Sequence, residues 1–291
     1  MTPTGTAEPA VPCLALDIGA TKVDAALVGA DGTLTSRQRL LVADAGDDLF
    51  SAVRELVTSL AREGSPGVVG VACAGPMSAH GDEVSPLNIA QWRRFPLRAR
   101  LSEALGLDVH VDGDARALAL AEGRFGAAQN LTSYLSMVVS TGIGGGLVLN
   151  GRLVDGASGN AGHVGHLHVV NGGRKCVCGS FGCLEAEASG TAIAAKTGGP
   201  ARDADSAMRR RSAELVGRAV GTLGAVFDFA HCFVAGSVAR GYGEAFLTTA
   251  TSSAREVARL EYCAKIEVRP SALADDGPLL GAALVGWRGL S

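Results

Sequence analysis

Between Ser140 and Gly190 the chain gathers Cys176, Cys178, Cys183, His163, His166, Glu185 and Glu187 among glycines. The cysteines have the spacing C-x-C-x4-C, and His166 precedes Cys176 by ten positions. Thiolates and an imidazole on one short loop system are the donor set of a closed tetrahedral zinc site. Plain buried cysteines or a disulfide pair are the alternatives, although three cysteines within eight residues, flanked by Gly179 and Gly182, argue against chance clustering. With no coordination position left open, such a metal would be structural and would fix the backbone around His163, His166 and Glu185.

A second kind of chemistry is suggested by two glycine turns, DIGATK (17–22) and STGIGGG (140–146), each with a threonine hydroxyl beside it. Small residues let phosphate oxygens approach the backbone, and the N–H dipoles there supply donors. One such turn is as readily an ordinary hairpin. Two of them, opening two α/β halves and the first carrying Asp17 and Lys22, favour phosphate. The pattern G-x4-G-K-[ST] is absent, and Gly142-x-Gly144 meets Leu147 where a dinucleotide fingerprint needs glycine, so neither a P-loop enzyme nor a Rossmann dehydrogenase is supported.

These residues need elements to hold them. Residues 1–11 read as a loose tail; 13–18, 23–28 and 33–42 then read as strands of an antiparallel meander. Leu49, Val53, Leu56, Val57 and Leu60 recur at helical spacing, and GVVGVACA (67–74) follows as a buried strand, which predicts a layered α/β domain. A helix is expected over Leu97–Leu105, a strand over 108–112, and Asp114 as the N-cap of the next helix. Strands at 133–140 and 147–151 repeat the strand–glycine turn–strand pattern. A long helix through Leu215–Val226, a strand and turn at 231–237 and a closing helix near 279–287 complete the chain. The expected organisation is a first lobe over 12–115, a second over 116–277 with the cysteine loop, and a helix near 278–291 packing back on the first.

At 291 residues and a net charge of −3, the chain carries no general footprint for nucleic acid or anionic membrane. Arg209–Arg211 is expected on a solvated face. Seven cysteines, only three of them clustered, suggest a reducing compartment, with Cys13, Cys73, Cys232 and Cys263 as core. No run approaches a membrane span, and a cytoplasmic protein is expected.

Taken together, LALDIGATK, SPLNIAQW, DGDARALALAEG, TGIGGG, AGHVGH and KCVCGSFGCLEAEASG resemble the ROK family of sugar kinases and sugar-responsive repressors, from Leu14 to Trp287. The resemblance implies a two-lobed actin-like (RNase H-like) ATPase fold with the active site in the interdomain cleft. It implies transfer of the γ-phosphoryl group of ATP, with Mg²⁺, to a hexose hydroxyl, usually O6, and a homodimer. Asp114 stands at the position of the general base, a group worth about 10²–10⁴-fold in rate. Asp17 resembles the acidic residue that holds Mg²⁺ through water. Gly19, Thr21 and Lys22 resemble the first phosphate turn, Thr141, Gly142 and Gly144 the second, and Gly236 the adenosine-side turn, where one of the usual paired glycines is missing. Gly75, Asn88, His163, His166 and Glu185 match the sugar side, and His166 with the three cysteines resembles the family's structural zinc site.

Two departures bear on the sugar. Glucokinase-like members usually carry Glu where this chain has His163, and Asn where it has Gly113. A neutral histidine accepts or donates one bond, whereas glutamate only accepts, so the hydroxyl or amino substituent that is read should change. Glucose, glucosamine, N-acetylmannosamine and kanosamine are the candidate sugars. The competing classes are a repressor, which needs a helix-turn-helix before a first strand expected here near residue 13, and a sugar-binding sensor without turnover.

Overall fold

The structure, a computed structural model, describes residues 11–46 and 48–290. The tail expected over 1–11 lies outside them except for Val11, whose carbonyl accepts the indole N–H of Trp287 at 3.0 Å. Among the described residues, ten strands form two five-stranded sheets. In the first, β1 (Cys13–Ile18), β2 (Lys22–Val28) and β3 (Leu34–Leu41) form the meander, and β4 (Val68–Cys73) and β5 (Val109–Gly113) extend it in parallel, giving the order β3-β2-β1-β4-β5. In the second, β6 (Tyr134–Val139), β7 (Ile143–Leu149), β8 (Arg152–Leu153), β9 (His231–Ala235) and β10 (Glu267–Pro270) give β10-β9-β6-β7-β8. The orders are the same topology twice, with β6, β7, β8, β9 and β10 in the places of β1, β2, β3, β4 and β5. The repeat visible in the two hairpins therefore extends to the whole sheet.

The eight α-helices of the described residues are α1 (Leu49–Gly64), α2 (Leu97–Leu105), α3 (Asp114–Phe125), α4 (Leu184–Ala188), α5 (Gly190–Thr197), α6 (Ser206–Phe227), α7 (Ser237–Val257) and α8 (Gly277–Arg288). The first forms because Leu49, Phe50, Val53, Val57 and Leu60 share one buried face, each worth roughly 1.5–3 kcal/mol, while Asp48 caps the start by accepting the Ser51 N–H at 3.1 Å. Its C-terminus ends on Ser65 in the left-handed region. On the opposite sheet face, α8 lies against β4 so closely that a Cβ at Gly70 would come 1.9 Å from the Ala282 carbonyl oxygen. No helix among the described residues is long and apolar enough to cross a membrane.

Two compact units divide the chain. Unit 1 comprises the described residues up to Phe125, Asp155–Ala161 and the residues from Asp275; unit 2 comprises Gly126–Val154 and Gly162–Ala274. The division expected after residue 115 falls instead after Phe125, because α3 packs along α8. The segment Asp155–Ala161 also joins unit 1, held by ion pairs that no local pattern announces. A further expectation is corrected at Arg209–Arg211. Only Arg210 sits on a solvated face; Arg211 pairs with the buried Glu187 at 2.6 Å, and Arg209 donates to the carbonyls of Ala204 and Arg202 with its guanidinium 5.0 Å from the Tyr242 ring centroid. The four scattered cysteines are buried as expected.

Candidate active site and metal centre

In unit 1, the strand register lines up Arg39, Asp24, Asp17, Ala72 and Asp112 across the sheet. In-register neighbours project to one face, so three carboxylates share a transverse row. Asp24, 2% exposed, takes Lys22 at 2.7 Å and Arg39 at 2.5 Å, with Arg37 at 3.7 Å. Burial opposes ionisation of Asp24, but the Arg39 and Lys22 hydrogen bonds prevail and hold its carboxyl at about 2. Asp112 takes Arg116. Asp17, between them, forms no ion pair among the described residues. Burial pushes its carboxyl up to about 7, and the charge of Asp114 adds to the rise. An oxygen donor that lacks a cation, between neighbours that already have theirs, fits a hard divalent metal held directly or through water.

The turn after β1 is short: the Gly19 N–H donates to the Lys22 carbonyl at 3.0 Å, leaving Ala20 and Thr21 at its tip. Lys22 lies on this turn by its backbone, while its ammonium is turned to Asp24. Asp114 is the first residue of α3 rather than the cap before it, with Oδ1 accepting the Ala115 N–H at 2.7 Å. Gly75 follows the end of β4, and Asn88 stands exposed on a turn anchored by the buried Ile89 and Trp92. That turn is gathered by Arg93, whose Nη1 donates to the carbonyls of Pro86, Ile89 and Trp92 at 2.7–2.8 Å.

In unit 2 the second turn is shorter than expected. The strand β7 already begins at Ile143, so Ser140–Gly142 form the turn and Gly144 pairs with Val138 inside the sheet. The turn is pinned from two sides. The Gly190 N–H at the start of α5 donates to the Ser140 carbonyl at 2.7 Å, Thr191 donates to the Thr141 carbonyl, and the Ser140 and Ser237 hydroxyls lie 3.0 Å apart. Glu185, on α4, accepts the Ile143 N–H at 2.9 Å. Gly236 sits between β9 and α7 with φ 103°, where only glycine is unstrained, and a Cβ there would lie 2.4 Å from the Val139 carbonyl oxygen. It borders a cavity of about 290 Å³ lined also by Arg240, Glu244, Leu247 and Ser271.

The four expected metal ligands converge. The donor atoms of His166, Cys176, Cys178 and Cys183 all lie within 4.8 Å of one another. Cys178 Sγ is 3.7 Å from Cys183 Sγ, and Cys176 Sγ is 3.6 Å from His166 Nδ1. A tetrahedron with metal–sulfur bonds of about 2.3 Å has edges of about 3.8 Å, so these two pairs lie near the edge length of a zinc site, and the widest separation would close somewhat around an ion. His166 presents Nδ1 to Cys176. The exposed His163 ring lies 6.0 Å from that of His166.

The sequence model of the ROK family matches residues 13–287. The chain belongs to the ROK family. This ROK chain is 33% identical over 293 residues to the N-acetylmannosamine kinase of Escherichia fergusonii, covering 94% of itself and 97% of that protein. Among solved structures it is similar to a ROK family glucokinase from Streptomyces griseus in complex with glucose and AMPPNP, at a TM-score of 0.84 and 28% identity, over 96% of this chain and 100% of the other. It is also similar to the ROK hexokinase from Thermus thermophilus, at a TM-score of 0.80 and 32% identity, over 96% and 99%. The fold is thus the two-lobed actin-like ATPase fold. Within that frame, Asp24, Arg93 and Arg116 are residues that sequence reasoning passed over. Charged residues in a strand, a turn or a helix carry no local signal of a partner far along the chain.

Proposed function

We propose that this ROK chain is an ATP-dependent sugar kinase that transfers the γ-phosphoryl group to a hydroxyl of a hexose or amino hexose. The observation that carries the reading is the placement of Asp17 and Asp114 at the C-terminal ends of β1 and β5 of one sheet, Asp17 level with Asp112 in the strand register and Asp114 two residues beyond it. Asp114 accepts the proton of the attacking hydroxyl, since a sugar hydroxyl is a weak nucleophile at neutral pH. Asp17 supplies the carboxylate for Mg²⁺, which when bound would neutralise and position the phosphate charge. Gly19, whose N–H closes the first turn on the Lys22 carbonyl, lets the phosphates approach, and the backbone donors of Thr21, Lys22, Thr141 and Gly142 orient them, with Gly144 supporting the second turn from within β7. Gly236 and its cavity accept the adenosine.

On the sugar side, Gly75 allows close approach, while Asn88, His163, Glu185 and the second nitrogen of His166 read the hydroxyls. An amide, two imidazoles and a carboxylate suit groups that both donate and accept. Zinc in the His166, Cys176, Cys178 and Cys183 site would fix that face. The similarity to an N-acetylmannosamine kinase, together with His163, supports an amino sugar beside glucose as the substrate. The reading includes a homodimer in the cytoplasm.

The test is sugar-dependent ADP release with Mg²⁺-ATP over glucose, mannose, glucosamine, N-acetylglucosamine, N-acetylmannosamine and kanosamine. Turnover with one of them, reduced by about 10²–10⁴-fold in Asp114→Asn, supports the kinase. Sugar binding without turnover in the zinc-loaded parent protein supports a sensor instead.

A further inference from the structure

We infer that Arg116 is a positioning residue for the transfer site, one guanidinium holding both the backbone around Asp114 and the segment that leads into His163; the inference rests on the kinase reading above. Arg116 is buried, with its side chain 7% exposed. Its Nε donates to Asp112 Oδ1 at 2.5 Å and its Nη2 to Asp112 Oδ2 at 3.2 Å. Asp112 lies two residues before Asp114 and Arg116 two after, so this fork brackets the base from the end of β5 to the first turn of α3. The same Nη2 donates to Asp155 Oδ1 at 2.6 Å, and Nη1 donates to the Ala161 carbonyl at 3.1 Å. A single side chain thus grips both ends of Asp155–Ala161, and Ala161 is two residues from His163.

The segment is held from elsewhere in unit 1 as well. Arg288 Nη2 donates to both Asp155 oxygens at 2.9 and 3.1 Å. The Asn160 side chain brackets Met77, accepting its N–H at 3.1 Å and donating to its carbonyl at 2.8 Å, and Met77 is two residues past Gly75. Backbone near three proposed site positions, Gly75, Asp114 and His163, is therefore linked through one polar network. An ion network buried at Arg116 and Asp112 and open to solvent at Asp155 and Arg288 gives little net stability over apolar packing. What this one supplies is direction, because a planar fork fixes the geometry of two carboxylates and a carbonyl where an ammonium would not. Gly113 is matched to it. A Cβ at that position would lie 3.3 Å from Arg116 Cδ, so the arginine stem fills the space beside the residue preceding the base.

The experiment compares Arg116→Lys and Asp155→Asn with the parent full-length, zinc-loaded protein. It reads thermal midpoint, amide hydrogen exchange over 155–163, and kcat and KM for the sugar the parent turns over best. Asp155 is half-exposed, so its substitution guards against a variant that fails to fold. The expected result is faster exchange at 155–161 in both variants. In Arg116→Lys, kcat should fall by roughly 10²-fold, the scale of a misplaced catalytic group. In Asp155→Asn the effect should fall mainly on KM, since the segment it anchors leads to a sugar contact. Unchanged kcat and KM in the folded variants overturn the inference, as does a lowered thermal midpoint with kinetic constants unchanged, which assigns a purely structural role. If the parent turns over no sugar, the kinase reading falls separately. The network is then judged by exchange alone, and unchanged exchange at 155–161 overturns it.

Discussion

Glu185 Oε2 accepts the backbone N–H of Ile143 at 2.9 Å, and a Cβ placed on Gly142 would come within 2.7 Å of the same oxygen. One carboxylate oxygen therefore seats the glycine turn, and under the kinase reading the other contacts the sugar. An amide oxygen can also accept the Ile143 N–H, so Glu185→Gln should fold normally. It should lose a charge-assisted hydrogen bond of about 1.5–3 kcal/mol to the sugar, read as kcat/KM lower by roughly 10- to 150-fold. An unchanged kcat/KM across the sugar panel removes Glu185 from the sugar contacts.

The turn bearing Asn88 is held by one guanidinium in addition to its own backbone hydrogen bonds. Removing Arg93 leaves the carbonyls of Pro86, Ile89 and Trp92 without their shared donor. We expect Arg93→Ala to raise KM for the sugar about tenfold, equivalent to about 1.4 kcal/mol, with a smaller change in kcat. Equal loss in both constants for sugar and ATP would point to general unfolding instead.

Acid should weaken unit 1 through Asp24. Its carboxyl titrates at about 2 in the fold against an ordinary 3.8, so the fold favours the ionised form. The stability this contributes, on the order of 2 kcal/mol, is complete above about pH 4 and is lost as pH falls toward about 2. Asp24→Asn should therefore melt lower than the parent at pH 7, with the gap closing by pH 2. A gap independent of pH counts against the ion-pair account.

Metal content tests the cysteine loop. The parent should carry one zinc per chain, and Cys178→Ser or a strong chelator should remove metal and lower the thermal midpoint together. Elemental analysis finding no stoichiometric zinc in freshly purified protein would sink the assignment.

Substrate choice should respond to His163. Replacing its ring by a carboxylate, as in His163→Glu, should move preference toward glucose and away from an amino sugar. Competition assays with paired sugars give the ratio directly, and an unaltered ranking means His163 does not touch the sugar.

Much of this protein was legible in its residues, because the relevant signals are local. Helical recurrence of apolar residues marked α1, and α2 runs over Leu97–Leu105 as read. The C-x-C-x4-C spacing with His166 marked ligands that the structure brings within reach of one ion. The repeated strand–glycine turn–strand pattern marked the openings of both sheets. Tertiary structure decided what depends on partners remote in sequence. Strand register set Asp17 opposite Asp24 and level with Asp112, which left Asp17 without a cation while its neighbours have theirs. Asp155 meets Arg116 and Arg288 across separations of 39 and 133 residues, so Asp155–Ala161 belongs with unit 1 although flanked in sequence by unit 2. Hydrophobic periodicity and ligand spacing are properties of a short segment, whereas charge neutralisation belongs to whichever side chains folding brings together.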